Sequence, residues 1–274
     1  MKTVFTRKKL SILARNRRKY VIQSVEKALK LLKVFTDSKP DFSLMEISNL
    51  IGLNPSSTYR LLVTLEESDY VEQNPQTGRY HLGLASLRLA SGFQEQNDLR
   101  KVALPIMQRL RDTYKETVHL ARLVGSEVIY LEKLVALLPI GIIGVPPGGR
   151  APAYCTALGK VMLAYQPEEE VRRRYQAIGL ETFTPYTIHT VEQLLSELAT
   201  IRCQGYAFDN QETNLGVRCV AVPIHNGSHT TIAAMSISGP MERIDVLVNQ
   251  RGVIEALLSA SRQISERLAM GGSA

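Results

Sequence analysis

Apolar side chains recur at helical spacing between Ser24 and Phe35, where Val25, Leu29, Leu32 and Phe35 form a stripe, and this predicts an amphipathic helix. Lys39-Pro40 interrupts the pattern. Just beyond, Ser43 and Glu46 have the spacing of a capping box, with Phe42 and Ile47 placed as the hydrophobic staple that accompanies one. A second helix is therefore expected from Leu44 through Ile47, Leu50 and Ile51, ending at Gly52, which suits a left-handed C-terminal turn. Asn54 as cap and Pro55 at the first helical position open a third helix only a few residues later. On that helix Thr58, Leu61, Leu62 and Leu65 share one side at about 100° per residue, while Ser56, Tyr59, Arg60 and Val63 point the other way. Two short capped helices across a tight glycine turn make a helix-turn-helix. The outward hydroxyls, guanidinium and branched methyls suit phosphates, base edges or thymine methyls. A plainer use stays open: Arg60 pairing with Glu46 or Glu67, and Tyr59 covering the surface.

The period then changes. Tyr70 to Gln73 and Arg79 to Leu82 are β-prone runs around Asn74-Pro75-Gln76-Thr77-Gly78, which predicts a hairpin. After a helix-turn-helix it reads as a wing that lays Arg79 or the turn amides along a phosphate backbone, with a purely structural hairpin as the alternative. Leu84 to Gln96, with Leu84, Leu87 and Phe93 at helical spacing, is expected to be a linker helix open to pairing with a partner chain. A helix over 98–116 follows, with Leu99, Val102, Ile106, Leu110 and Tyr114 inward and Pro105 as a kink. Val118 to Val124 and Val128 to Leu134 flank Gly125-Ser126 as a hairpin. Leu138 to Val145 reads as a further strand and 146–152 as a loop. Helices over 156–165, 167–178 and 191–203, strands over 206–209, 217–224 and 231–238, and one long helix over 244–268 complete the pattern. Helices flanking a mostly antiparallel sheet indicate an α+β second domain. The expected division is an arm over 1–20, a winged helix-turn-helix over 21–83, a linker helix over 84–97 and the sheet domain over 98–274.

Composition changes this picture mainly through charge. The 274 residues are 45% hydrophobic, which suits one large or two smaller cores and excludes a disordered chain. No apolar run approaches the roughly 18 to 20 residues of a membrane helix, so a soluble, cytoplasmic protein with no membrane partner is expected. Cys155, Cys203 and Cys219 match neither a disulfide framework nor a zinc pattern and fit a reducing compartment. Of the net charge of +7, residues 1–20 alone contribute +8 with no Asp or Glu. Residues 1–96 hold 15 basic and 9 acidic side chains, against 18 and 17 in the remainder. A basic arm on a basic front domain is the electrostatic footprint of a nucleic-acid binder. An organelle leader or a solvated tail would carry the same charge. Enzymatic chemistry is disfavoured: the five histidines are scattered, Pro146-Pro147-Gly148-Gly149 lacks the Lys-Ser/Thr of a phosphate loop, and no metal box or nucleophile–base pair is evident. No cofactor or metal is expected.

Four stretches in order resemble the IclR-type bacterial transcriptional regulators. They are Ile47 to Leu62, Gly78 to Gly83, Cys155-Thr156-Ala157-Leu158-Gly159-Lys160, and Gly205 to Asp209 continuing through Gly216 to Ile224. The resemblance implies a winged helix-turn-helix, a linker helix and a GAF-like effector domain, assembled as homodimers or homotetramers on double-stranded operator DNA, more often as repressors. DNA contact then falls to Ser56, Ser57, Tyr59, Arg60 and Arg79. The resemblance also carries over a pocket for a small organic acid, at positions matching Ala157, Leu158, Asp209, Cys219, Ser236 and Ser238, with Ile140, Ile143 and Ala151 near its apolar wall. Ser236 and Ser238 are two apart on one strand and so face the same side. Amides near Ala157 and Leu158 open a helix and favour an anion, whereas Asp209 beside an anion must be protonated, offset or turned aside. The alternatives are an ordinary packed sheet with Cys219 as a small hydrophobe, and an enzyme or carrier whose front domain serves dimerisation.

Overall fold

A computed structural model describes residues 20–36, 39–138 and 144–271, and the chain divides into two compact units between Gln94 and Glu95. The basic arm up to Lys19, and Ile140 and Ile143, lie outside the described residues.

The first unit contains α1 (Gln23–Val34), α2 (Leu44–Ile51), α3 (Pro55–Glu66), a hairpin of β1 (Val71–Gln73) and β2 (Tyr80–Leu82), and most of α4 (Leu84–Gln96). Its core is Leu31, Val34, Phe35, Phe42, Ile47, Ile51, Leu62, Leu65, Val71 and Tyr80. The stripe expected on α1 is half right. Leu32 and Phe35 pack inward, but Val25 and Leu29 stay exposed because the helix turns Leu31 and Val34 onto the core instead. Apolar positions on α1 supply two overlapping stripes, and periodicity alone does not choose between them.

The second unit opens with α5 (Asp98–Tyr114), which runs through Pro105 and ends where Lys115 takes a left-handed conformation at φ 63°. Six strands follow: β3 (Thr117–Val124), β4 (Glu127–Leu134), β5 (Arg150–Pro152), β6 (Ala207–Asn210), β7 (Val217–His225) and β8 (Thr231–Pro240). They form one sheet in the order β5-β4-β3-β8-β7-β6, antiparallel at every pairing. Alternation sorts its two faces. Val118, Leu120, Val220, Val222, Ile224, Met235 and Ile237 join α5, α9 (Met241–Gln250) and α10 (Val253–Gly271) in one core. Ala121, Ala207, Ala221 and Ala234 lie on the other face with α6 (Ala157–Leu163), α7 (Glu168–Ile178) and α8 (Val191–Gln204). That face is lined by small residues, which leaves room above the sheet.

Two segments depart from the pattern. The stretch read as a loop contains β5, which pairs through Val128 with Ala151 and Ile129 with Arg150. An edge strand tolerates Pro152 because only one side of it must donate to the ladder. Gly144 and Val145, read as strand, are outside any strand. The expected long terminal helix is two helices, broken at Arg251-Gly252 where Gly252 sits at φ 58°.

Candidate functional site

The helix-turn-helix is built by its caps. Ser43 Oγ accepts the Glu46 N–H at 3.3 Å, and the Ser43 N–H donates to Glu46 Oε2 at 2.8 Å, so both halves of the capping box form. Gly52 closes α2 at φ 70°, where a side chain would be strained. Two residues later Asn54 Oδ1 accepts the Ser57 N–H at 2.8 Å and starts α3. These locks fix the roll of α3. Thr58, Leu62 and Leu65 are buried, whereas Ser56, Tyr59 and Arg60 are exposed, with Ser57 and Val63 half-buried. Tyr59 is 51% exposed, and Arg60 makes no ion pair among the described residues. Of the two acidic partners open to Arg60 in the sequence, Glu46 binds Lys39 and Arg79, and Glu67 makes no ion pair among the described residues.

Arg79, expected at the DNA, is also tied into the first unit. Its Nε donates to Asp41 Oδ1 at 2.6 Å and its Nη2 to Glu46 Oε2 at 2.8 Å, so the guanidinium ties the wing to the start of α2. Phe42 and Tyr80 exchange backbone hydrogen bonds at 3.0 and 2.8 Å across the same junction. The hydrogen bond to Asp41 raises the Arg79 pKa, and those from Lys39 and the Ser43 N–H lead in lowering Glu46 to about 2. The wing tip itself is uncharged: Asn74 Oδ1 accepts the N–H groups of Gln76 and Thr77 in a compact turn.

In the second unit, strand register assembles a polar patch that spacing alone does not reveal. Asp209 pairs with Cys219, and Cys219 with Ser238. One row along, Ser236 stands between Ala221 and His119. These side chains share the small-residue face, beneath the start of α6. Thr156 caps that helix, its Oγ1 accepting the Gly159 N–H at 3.2 Å. Above the patch is a cavity of about 260 Å³. Ala151, Ala157, Leu158, Asp209, Cys219, Ser236 and Ser238, seven residues expected from the sequence, all line it. So do His119, Tyr130, Arg150, Thr156 and Phe183, which sequence reasoning missed. The N–H groups of Ala157 and Leu158, in the first turn, lack intrahelical acceptors. A seven-residue helix offers these as directional donors more than through a macrodipole.

The Arg150 guanidinium of the lining is paired with Glu127 Oε2 at 2.7 Å, and burial biases the other titratable groups toward their neutral forms. Burial raises the Asp209 carboxyl, and both its oxygens are turned into their own loop: Oδ1 takes the Glu212 N–H at 2.8 Å and Oδ2 the Thr213 hydroxyl at 2.9 Å. The awkward carboxylate is thus both turned aside and biased toward protonation. Burial also raises the Cys219 thiol and the Tyr130 phenol, and lowers His119 to about 3. Beyond Asp209, Lys160 donates to Glu212 Oε1 at 2.5 Å and Glu197 Oε1 at 3.1 Å. Burial leads in raising Glu212 to about 7.

Comparison with known proteins follows the same two units. A model of the IclR helix-turn-helix domain matches residues 24–75, and one of the bacterial transcriptional regulator IclR C-terminal domain matches residues 93–266. The HTH-type transcriptional regulator XynR of Escherichia coli is 38% identical over 225 residues, 82% of this chain and 89% of that protein. The transcriptional repressor IclR of the same organism is 33% identical over 254 residues, 92% of this chain and 91% of the repressor. The crystal structure of an IclR transcriptional regulator from Alicyclobacillus acidocaldarius superposes with a TM-score of 0.81 at 28% identity, covering 92% of this chain and 99% of that one. With both domain models matched in chain order and relatives above 30% identity along most of its length, this chain belongs to the IclR family of transcriptional regulators.

Proposed function

We propose that this regulator binds operator DNA through α3 as a homodimer or a larger homo-oligomer, and that a small organic acid in the sheet-domain cavity changes that binding, more often as release of a repressor. The observation that carries the reading is the division of labour between the two units. One leaves Ser56, Tyr59 and Arg60 outward and unspent, with Ser57 beside them. The other gathers two serines, a thiol, a carboxyl turned aside into its own loop and helix-start amides around a cavity. At ~30 Å³ per water, that cavity has room for about nine waters, the scale of a small organic acid.

Dimerisation has its own support. None of the side chains of α4 is buried, and Leu84, Leu87, Leu89 and Phe93 are all exposed. A helix of about this length is marginal in water without tertiary packing, so a second copy of the chain is the natural cover. In such a dimer the acid acts only by preferring one of two arrangements of the paired domains, since equal affinity for both shifts nothing.

The alternative, an enzyme, has one contact in its favour: Ser238 Oγ lies 3.4 Å from His119 Nδ1. The pair is a poor nucleophile and base. An imidazole lowered to about 3 is a feeble proton acceptor at neutral pH, and no carboxylate orients its other nitrogen among the described residues. Gel shifts on the DNA upstream of the protein's own coding region, with sugar acids, aromatic acids and keto acids added, test the proposal. At least one acid should shift the complex, and Ser238→Ala should blunt its effect. A complex indifferent to every acid, or no complex, refutes the reading.

A further inference from the structure

His119 is 4% exposed and stands beside Ser236 on the cavity face, its ring edge-on to Tyr130 at 5.3 Å. The Nδ1 atom faces the Ser238 hydroxyl at 3.4 Å. The Nε2 atom is buried and has no hydrogen-bond partner among the described residues. A buried polar atom left unpaired is costly and rare enough to require a reason. Here the residue lines a cavity, and a bound molecule would supply the missing partner.

The surroundings say what kind of partner. Burial and the nearby Lys133 keep the ring neutral, and Lys133 directs its own Nζ to the Gly144 carbonyl at 2.9 Å. Asp209, the carboxyl on the same face, is engaged with Glu212 and Thr213 and leaves the imidazole alone. The serine hydroxyl can give its proton to Nδ1 or accept one from it, so Nε2 can be presented as donor or acceptor. A neutral group of that kind matches a hydroxyl, which also both donates and accepts. It matches a carboxylate less well, because the carboxylate only accepts and cannot serve the ring when Nε2 is presented as an acceptor.

Resting on the reading of this cavity as the effector site, we infer that His119 is a specificity-determining residue whose Nε2 hydrogen-bonds a hydroxyl of the effector, so that the effector class is small hydroxylated carboxylic acids.

Calorimetric titration of the full-length protein with acids paired by their hydroxyls tests this: lactate with propionate, 4-hydroxybenzoate with benzoate, and gluconate with hexanoate. For at least one pair the hydroxylated acid should bind about tenfold or more tightly. That ratio should collapse toward one in His119→Leu. It should largely return in His119→Gln, whose amide reaches the Nε2 position, but not in His119→Asn, which reaches only the Ser238 side. Ligand-free His119→Leu removes the unpaired nitrogen but also the Ser238 contact, so its melting temperature checks only that it folds; if it does not, the Gln and Asn variants decide by the same ratio. A hydroxyl preference that survives in His119→Leu, or in His119→Asn as fully as in His119→Gln, overturns the inference and leaves the effector site standing. So does parent protein that binds both members of each pair alike. No binding of any acid to the parent refutes the effector reading itself, and this inference with it.

Discussion

Replacing Gly159 with Ala sets two physical rules against each other. Gly159 lies in the first turn of α6, and Gly→Ala inside a helix ordinarily stabilises by about 1 kcal/mol. The added Cβ, however, would stand 2.2 Å from the Ala153 carbonyl oxygen, 2.3 Å from Ala153 Cα and 2.5 Å from its carbonyl carbon. Ordinary contact begins near 3.4 Å, and every atom in the way is backbone. No side chain can swing aside, so helix and loop must part by ~1 Å, and overpacking of this kind costs about 3 kcal/mol. The net expectation is a loss of about 2 kcal/mol, a melting temperature lower by about 4 to 8 °C for a domain of this size. Because Ala157 and Leu158 ride on the same helix, effector affinity should fall with it. Calorimetric melting and ligand titration read both effects. Gly52→Ala is the control: its Cβ meets nothing within 4 Å, and only the strain of φ 70° remains, about 1 kcal/mol. A Gly159→Ala protein that melts at or above the parent temperature would show that α6 does not press on the Ala153 loop as described.

Three further outcomes are expected. The Glu46 carboxyl is lowered to about 2 in the folded protein from an ordinary 4.5, so its contribution to the first unit is complete above pH 4.5 and is lost as pH falls toward 2. Acid titration of a protein carrying Glu46→Gln should lack that transition, and an unchanged acid midpoint would remove Glu46 from the account. Lys160→Met strands Glu212 and should destabilise the second unit by about 3 to 5 kcal/mol, with much of the loss recovered by adding Glu212→Gln; additive denaturant midpoints would contradict the pairing. Leu87→Glu with Phe93→Glu should shift sedimentation toward monomer and weaken operator binding, whereas an unaltered oligomer would place the subunit contact elsewhere.

The first unit was readable because its instructions are local. Ser43 with Glu46, Gly52, and Asn54 with Pro55 each act within a few residues, and the structure forms every one of those caps. The ion pairs of Arg79 are not legible in the sequence, for the opposite reason. Its partners, Asp41 and Glu46, are distant in sequence and meet it only when the hairpin folds back. The cavity divides the same way. Ser236 and Ser238 declare a common side by their spacing, but His119 joins them only through the β3–β8 register. No periodicity carries that register. The edge strand at Arg150–Pro152 is hidden by Pro152 and by the Pro146-Pro147-Gly148-Gly149 run before it, which read as loop whenever the neighbouring strand is not yet known. The apolar choice on α1 failed where two faces were equally oily and only the position of Phe42 and Ile47 decides.

The most direct test of the account is fluorescence anisotropy on the upstream DNA, between 50 and 200 mM salt, with parent protein and with Ser56→Ala, Tyr59→Ala and Arg60→Ala combined. Those three side chains are exposed, so the variant should melt with the parent. The account predicts parent affinity falling linearly in log–log form, by about 0.9 per phosphate neutralised, and a variant that has lost at least tenfold in affinity at every salt concentration. Equal binding by parent and variant, or parent binding indifferent to salt, would contradict it.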